Sequence, residues 1–271
     1  MAKVRLEGGS AAKVLDGELR LLGSWEAAGP RHATELPVTA QLLAQGPILS
    51  LSAASLLAPV DERSKIICLG LNYRAHVEEA AARVAAHPGL FTRFADTLVG
   101  SGEPLVRPRV SSAYDYEGEI AVVMGRAGRH IPRERAMEHI FGFTIMLDGS
   151  VRDYQQHSVS AGKNFWRSGA LGPWIVTADE IPDPRVLKLE TRLNGETVQS
   201  TTADLMICDV PTAIEYISGF TPLSPGDVIA MGTPGGVGAM RKPPLWMRAG
   251  DLIEVSVSGI GTLTNTVHDE M

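Results

Sequence analysis

The sequence predicts an α+β protein that is mainly β, and three observations predict it. Gly (28) and Pro (17) are both generous in the 271 residues, which suits many short strands joined by turns. The apolar runs are short and bounded by Gly, Pro, Asn and Asp. Between Leu187–Leu193 and Glu196–Thr202 stands Asn194-Gly195, the strongest hairpin signal in the chain. The length is enough to bury a substantial core, as one large domain or one with a small appendage.

Bulk properties exclude several classes of function. The net charge is −6, and no Lys/Arg cluster with interleaved aromatics marks a nucleic-acid partner. No run approaches membrane-spanning length, and the N-terminus MAKVRLEGGS lacks the apolar core of a signal peptide. The two cysteines, Cys68 and Cys208, lie in apolar surroundings and read as reduced core thiols rather than a disulfide or a ligand pair. The expectation is a soluble cytoplasmic protein with no membrane partner.

Residues 1–60 read as a small structural domain. Val4–Leu6, Lys13–Leu15 and Leu19–Leu22, separated by Gly8-Gly9-Ser10 and Asp16-Gly17, predict a meander of strands. Pro37–Ala44 is a candidate short helix and Ile48–Leu51 a further strand; ionisable groups do not concentrate there. From Lys65 the texture changes, and residues 61–271 read as the domain that carries the chemistry. Ile66–Leu69 is a buried strand, followed by an alanine-rich helix with Asn72 as N-cap, running to about Ala86 before the stop signal His87-Pro88-Gly89. His76 and Glu79, three apart, share a face of it. With few large apolar residues, this helix is better suited to lying over a cleft than to building a core, as a movable lid would.

A loop-rich passage, Gly89–Arg109, delivers the chain to Ser112–Gly125. There Ile120–Met124 is apolar on both faces, as an inner strand is. Glu117 and Glu119 stand immediately before it, two apart, so the strand period points both to one side. Two half-buried carboxylates repel unless a cation lies between them; a solvated pair is the other reading. Ile131–His139 predicts a short surface helix, and Phe141–Leu147 a strand ending in Asp148, a turn former in isolation. Polar groups cluster directly after it, in Arg152-Asp153-Tyr154-Gln155. Lys163 lies among aromatics before the strand Trp174–Thr177, where a lysine can bind an anion. Val210–Ile217 is a helix with an early Pro. The strand Asp227–Met231 runs into the loop Gly232-Thr233-Pro234-Gly235-Gly236-Val237-Gly238. That loop lacks the Gly-Lys-Ser/Thr ending of a phosphate loop, and Pro234 opposes a dinucleotide turn; its amides suit the close approach of a small carboxylate. Leu252–Val257 and Gly261–Val267 form a closing hairpin.

Seven blocks in order, CLGLNYRAHVEE, YDYEGEIAVVMG, GFTIMLDGSVRDYQ, LGPWIVT, LNGE, LSPGDVIAMGTPGGVG and GDLIEV…GIGTLTN, resemble the fumarylacetoacetate hydrolase family over about residues 61–271. The resemblance implies a mixed, mostly β roll of packed sheets, a variable small N-terminal domain and a homodimer. It implies that Glu117, Glu119 and Asp148 are metal ligands. Such hard oxygen donors select Mg²⁺, with Mn²⁺ or Ca²⁺ as substitutes. By the same resemblance His76 and Glu79 are a water-activating dyad on a lid. Lys163 faces substrate oxygens, and Gln155, Gly232 and Thr233 line the pocket.

The reaction so implied is Mg²⁺-dependent hydrolysis of a carbon–carbon bond in a 1,3-diketo acid, an acylpyruvate or fumarylpyruvate, by retro-Claisen chemistry in aromatic catabolism, giving pyruvate and a carboxylic acid. The alternative is a decarboxylase or isomerase of oxaloacetate-like or unsaturated oxo acids on the same site, and a third reading is a non-catalytic binding member. The chain departs from the family at Phe165-Trp166-Arg167-Ser168. Arg167 has two readings there, a cation for a second substrate carboxylate or a surface or dimer contact.

Overall fold

The computed structural model describes residues 1–4, 10–15, 18–24, 29–30 and 47–271. The short helix expected at Pro37–Ala44, the Asp16-Gly17 turn and residues 5–9 lie outside the described residues. In the N-terminal part, β1 (Ala2–Val4), β2 (Ser10–Leu15), β3 (Glu18–Ser24), β4 (Ile48–Ser50) and β5 (Leu56–Leu57) form an antiparallel sheet ordered β4-β3-β2-β1-β5. Ala2, Ala12, Leu19 and Leu56 make its small core, against which Trp174 packs.

The remainder holds two larger sheets. Along the chain run β6 (Ile66–Gly70), α1 (Arg74–Glu79), β7 (Gly89–Arg93), β8 (Leu98–Val99), β9 (Leu105–Arg107), β10 (Tyr114–Asp115), β11 (Gly118–Met124) and β12 (Ile140–Leu147). They are followed by β13 (Ser150–Val151), α2 (Arg152–Gln155), α3 (Val159–Lys163), β14 (Gly169–Thr177), β15 (Lys188–Leu193) and β16 (Glu196–Thr202). Last come α4 (Val210–Phe220), β17 (Val228–Ala230), β18 (Leu252–Val257) and β19 (Gly261–Asp269). The seven-stranded sheet is ordered β7-β6-β17-β11-β12-β14-β8 and the five-stranded one β16-β15-β18-β19-β9. Both are mixed: β6/β17, β14/β8 and β19/β9 pair parallel and the other pairs antiparallel. The expected mainly β, mixed-sheet fold is the observed one.

β11 is central because it can be buried on both faces. Ile120, Val122 and Met124 join the core shared with Leu189, Val255 and Leu263 of the five-stranded sheet. Ala121 and Val123 join a second core with Cys68, Met146 and Leu171. The Asn194-Gly195 turn has φ of 53° and 83°, the left-handed pair that a two-residue hairpin needs. Asp209 caps α4 by accepting from Thr212 N–H at 2.9 Å, with Pro in the first turn. Both cysteines are free and buried. No helix among the described residues is long and apolar enough to cross a membrane.

Two elements differ from expectation. The alanine-rich helix stops at Glu79 rather than Ala86, and Ala81 turns left-handed with φ 50°. Alanine propensity alone cannot hold a short helix without an apolar face to bury. Asn72 is not its N-cap, which is Tyr73. Instead its amide donates to Cys208 O and Met231 O, and its oxygen accepts from Cys208 N–H. The passage expected to be loop contains the edge strand β7, paired along β6 from Ile66↔Arg93 to Gly70↔Gly89.

Candidate active site

The site grows from the register of β11 against β12. Gly118 pairs with Leu147 and Glu119 with Met146, and Asp148 N–H donates to Glu117 O at 2.8 Å. That register carries Glu117, Glu119 and Asp148 to one place, on the side of the sheet that also bears Ala121 and Met146. Carboxylate oxygens of the three lie within 4.8 Å of one another. All three residues are buried, Asp148 completely.

Buried carboxylates need compensation, and three cations supply most of it. Lys163, the last residue of α3, donates to Glu117 Oε2 and, at 2.5 Å, to Asp148 Oδ2. Arg93, at the end of β7, donates to Asp148 Oδ1 at 2.5 Å, to Gly149 O at 3.1 Å and to Ser168 Oγ at 2.9 Å. Arg152 donates from Nε to Asp115 Oδ2 at 2.7 Å and from Nη1 to Gln155 Oε1 at 2.9 Å. Its Nη2 forms an ion pair with Glu117 Oε1 at 2.7 Å. With Asp115 included, four buried acids face three cations.

The deficit falls on Glu119, whose hydrogen-bond donor is the Gly232 amide at 2.9 Å. Burial, then Asp148 and Glu117, push its carboxyl well above the usual range. At Glu117 burial pushes the same way, but Lys163 and Arg152 outweigh it and hold the carboxyl at about 2. At Lys163 burial favours the neutral amine, and Asp148 and Glu117 overcome it, so the ammonium persists above its ordinary range. Three converging oxygen donors one positive charge short of balance fit a hard divalent cation, and Glu117, Glu119 and Asp148 are the residues that could hold it.

Above these acids is a cavity of about 340 Å³ lined by His76, Glu117, Glu119, Arg152, Gln155, Lys163 and Thr233 among others. On α1, His76 Nδ1 donates to Glu79 Oε1 at 2.8 Å, and Glu79 Oε2 accepts from Gly236 N–H at 2.8 Å. A tautomer with the proton on Nδ1 leaves the Nε2 lone pair free. Thr233 Oγ1 donates to Gly118 O at 2.9 Å and accepts from Gln199 Nε2 at 2.8 Å.

Of the residues expected at the site, Arg167 is elsewhere. Its guanidinium lies over the Trp166 ring and pairs with Glu103 at 3.4 Å, and Arg167 and Glu103 both line a different cavity. The Gly232–Gly238 loop also differs from expectation, because its amides meet the protein's own carboxylates. Gly232 serves Glu119, Gly236 serves Glu79, and Gly238 and Ala239 serve Asp115 at 2.8 and 2.9 Å. Sequence reasoning missed Arg93, Asp115 and Gln199. An Asp two residues before Glu117 in a buried stretch was the available signal for Asp115; pairing of the three cations with particular acids has no local signature.

Residues 65–268 match the family described as Fumarylacetoacetate (FAA) hydrolase C-terminal. The chain is 39% identical over 241 residues to the mitochondrial oxaloacetate tautomerase Fahd2a of Rattus norvegicus, covering 88% of this chain and 77% of that one. Among solved structures it is similar to the fumarylacetoacetate hydrolase of Exiguobacterium antarcticum, at 34% identity and TM-score 0.87 with 99% of both chains covered. It is also similar to the maleylpyruvate hydrolase of Sphingobium sp. SYK-6 in complex with manganese(II) and pyruvate, at 27% identity and TM-score 0.84 with 100% of both chains covered.

Proposed function

The chain belongs to the fumarylacetoacetate hydrolase family, and on that premise we propose that it is a keto–enol tautomerase of an oxaloacetate-like 2-oxo acid, working with a divalent cation. The observation that carries the reading is one cavity holding both an oriented imidazole, His76, and a buried ammonium, Lys163. Lys163 gives two of its three N–H donors to Glu117 and Asp148, which leaves one for a substrate oxygen.

Conversion of enol to ketone moves one proton from O2 to C3 and breaks no carbon–carbon bond. His76 Nε2 takes the enol O–H proton and returns it to C3, ending neutral as it began. Glu79, fixed by the Gly236 amide, holds the ring and stabilises the imidazolium between the two transfers. The free N–H of Lys163 faces the charge that develops on O2. A divalent cation held by Glu117, Glu119 and Asp148 would supply Lewis-acid stabilisation of that enolate charge.

The carbon–carbon hydrolase expected from the sequence gives way here to the isomerase alternative, which the likeness to a curated tautomerase supports at higher identity than the likeness to a hydrolase. Hydrolysis remains the second reading, since an imidazole paired with a carboxylate also suits activation of water. Decay of the ultraviolet absorbance of enol-oxaloacetate in the presence of Mg²⁺ separates them. Acceleration without carbon dioxide or pyruvate release supports the tautomerase. Cleavage of acylpyruvates, with enol-oxaloacetate left at its spontaneous rate, would overturn it.

A further inference from the structure

The walls of the cavity are unlike its floor. Above the acids they are made by Leu71, Leu90, Phe91, Val159 and Met240. Three of these are large apolar side chains left in the open: Leu71 is 39% exposed, Val159 47% and Met240 44%. They come from separate parts of the chain, the turn between β6 and α1, the first residue of α3, and the turn after the Gly232 loop. An exposed apolar residue is ordinary singly; several converging on one opening mark a binding surface. Leu71 also sits at φ 55°, a left-handed conformation that a bulky residue rarely adopts.

Among the described residues, Arg152 and Lys163 are the only Lys or Arg residues lining the cavity. Arg152 is committed to Asp115, Gln155 and Glu117, and Lys163 lies against the acids, with the Phe91 ring 5.1 Å away. Arg167 is paired with Glu103 outside the cavity. A cavity of about 340 Å³ is at the lower end of those that hold drug-sized ligands, roughly 300–1,000 Å³, and has room beyond a four-carbon diacid.

We propose that the site also accepts 2-oxo acids carrying an apolar group on C3, aryl- and branched-alkylpyruvates, with that group seated on the Leu71–Phe91–Val159–Met240 wall. The reaction on them rests on the tautomerase reading, whereas the binding does not. The oxo-acid end lies over the acids, and the tail buries apolar surface that water otherwise covers. For an arylpyruvate the step balances as before, one proton passing from O2 to C3.

Two measurements on the Mg²⁺-loaded full chain test this. Trimethylpyruvate has no hydrogen on C3 and cannot enolise, so its calorimetric Kd reports binding alone. It should bind at least about tenfold tighter than pyruvate, as each added methyl in an apolar pocket is worth roughly tenfold or more. In the second, kcat/KM for the enol of phenylpyruvate is divided by that for enol-oxaloacetate. The ratio should fall about tenfold in V159S and in M240S, each variant serving as its own folding control. Trimethylpyruvate binding no tighter than pyruvate overturns the proposal, whatever the enols do. Loss of both substrates by the same factor also overturns it, because the wall then only seals the site. An intact trimethylpyruvate preference with enol-oxaloacetate at its spontaneous rate upholds the apolar seat and removes the tautomerase reading.

Discussion

Glu119→Gln in the metal-free protein tests the charge count at the site. Glu119 is 1% exposed, and its donor is one backbone amide. Burial first, then Asp148 and Glu117, hold its carboxyl well above the ordinary 4.5. The native state therefore keeps a proton that the unfolded chain releases near pH 4.5. Stability must fall as pH rises above that value, until the native group ionises. At about 1.4 kcal/mol per pH unit, the window from pH 4.5 to 7 sets a ceiling of about 3.5 kcal/mol. Gln lacks this penalty and can still accept from Gly232. The metal-free variant should be more stable than wild type at pH 7 by about 1–3 kcal/mol, at roughly 2–4 °C of Tm per kcal/mol. The gap should close as pH approaches 4.5. Mg²⁺ works against that gap: at a hundred times Kd it adds about 2.7 kcal/mol to wild type, and less to a variant short of one anionic donor. Thermal melts from pH 4.5 to 8, with chelator and with Mg²⁺, read all of this. A metal-free variant less stable than wild type at pH 7, or an equal gain from Mg²⁺ in both, would refute the reasoning.

Three further outcomes follow from particular contacts. Removing the imidazole in His76→Ala should lower kcat/KM for the enol by about 10²–10⁴, while Mg²⁺ still raises Tm; a loss under threefold would remove its role as proton carrier. Arg167→Ala should leave turnover of enol-oxaloacetate within about twofold, because the guanidinium pairs with Glu103 away from the cavity, and a large rise in KM would return it to the site. Asp209 is partly buried, which pulls its carboxyl up, but hydrogen bonds from Thr212 and the Arg133 ion pair bring it below 3.8. Its stabilisation is therefore present above about pH 4 and lost as pH falls further. Asp209→Ala should cost about 1 kcal/mol at pH 7, read by urea denaturation, with the difference shrinking in acid.

The sequence discloses most where one residue decides its own surroundings. Ile120–Met124 is apolar at every position and had to be an inner strand, and Asn194-Gly195 permits one kind of turn. Helix α1 was misjudged because the alanines after Glu79 have propensity but nothing to pack, and β7 because Gly89 and the preceding Pro88 hide a short edge strand. Glu117, Glu119, His76 and Lys163 line one cavity, and a carboxylate oxygen of Asp148 lies within 4.8 Å of those of the two glutamates. What could not be read is which cation serves which acid. Arg93 lies 55 residues from Asp148 and Lys163 lies 46 from Glu117, and a contact at that separation is fixed by the fold of the sheets alone.

The loop from Gly232 to Ala239 gives three acids a common frame of reference. Its amides hold the proposed metal ligand Glu119, the ring-orienting Glu79 and the structural Asp115. Asp115 in turn fixes Arg152, which reaches Glu117. One stretch of backbone thus fixes carboxylates from α1, β10 and β11 relative to one another. Alignment across the cavity is thereby delegated to backbone N–H groups, which among single replacements only a proline deletes. The wall formed by Leu71, Val159 and Met240 is left free to vary with the substrate.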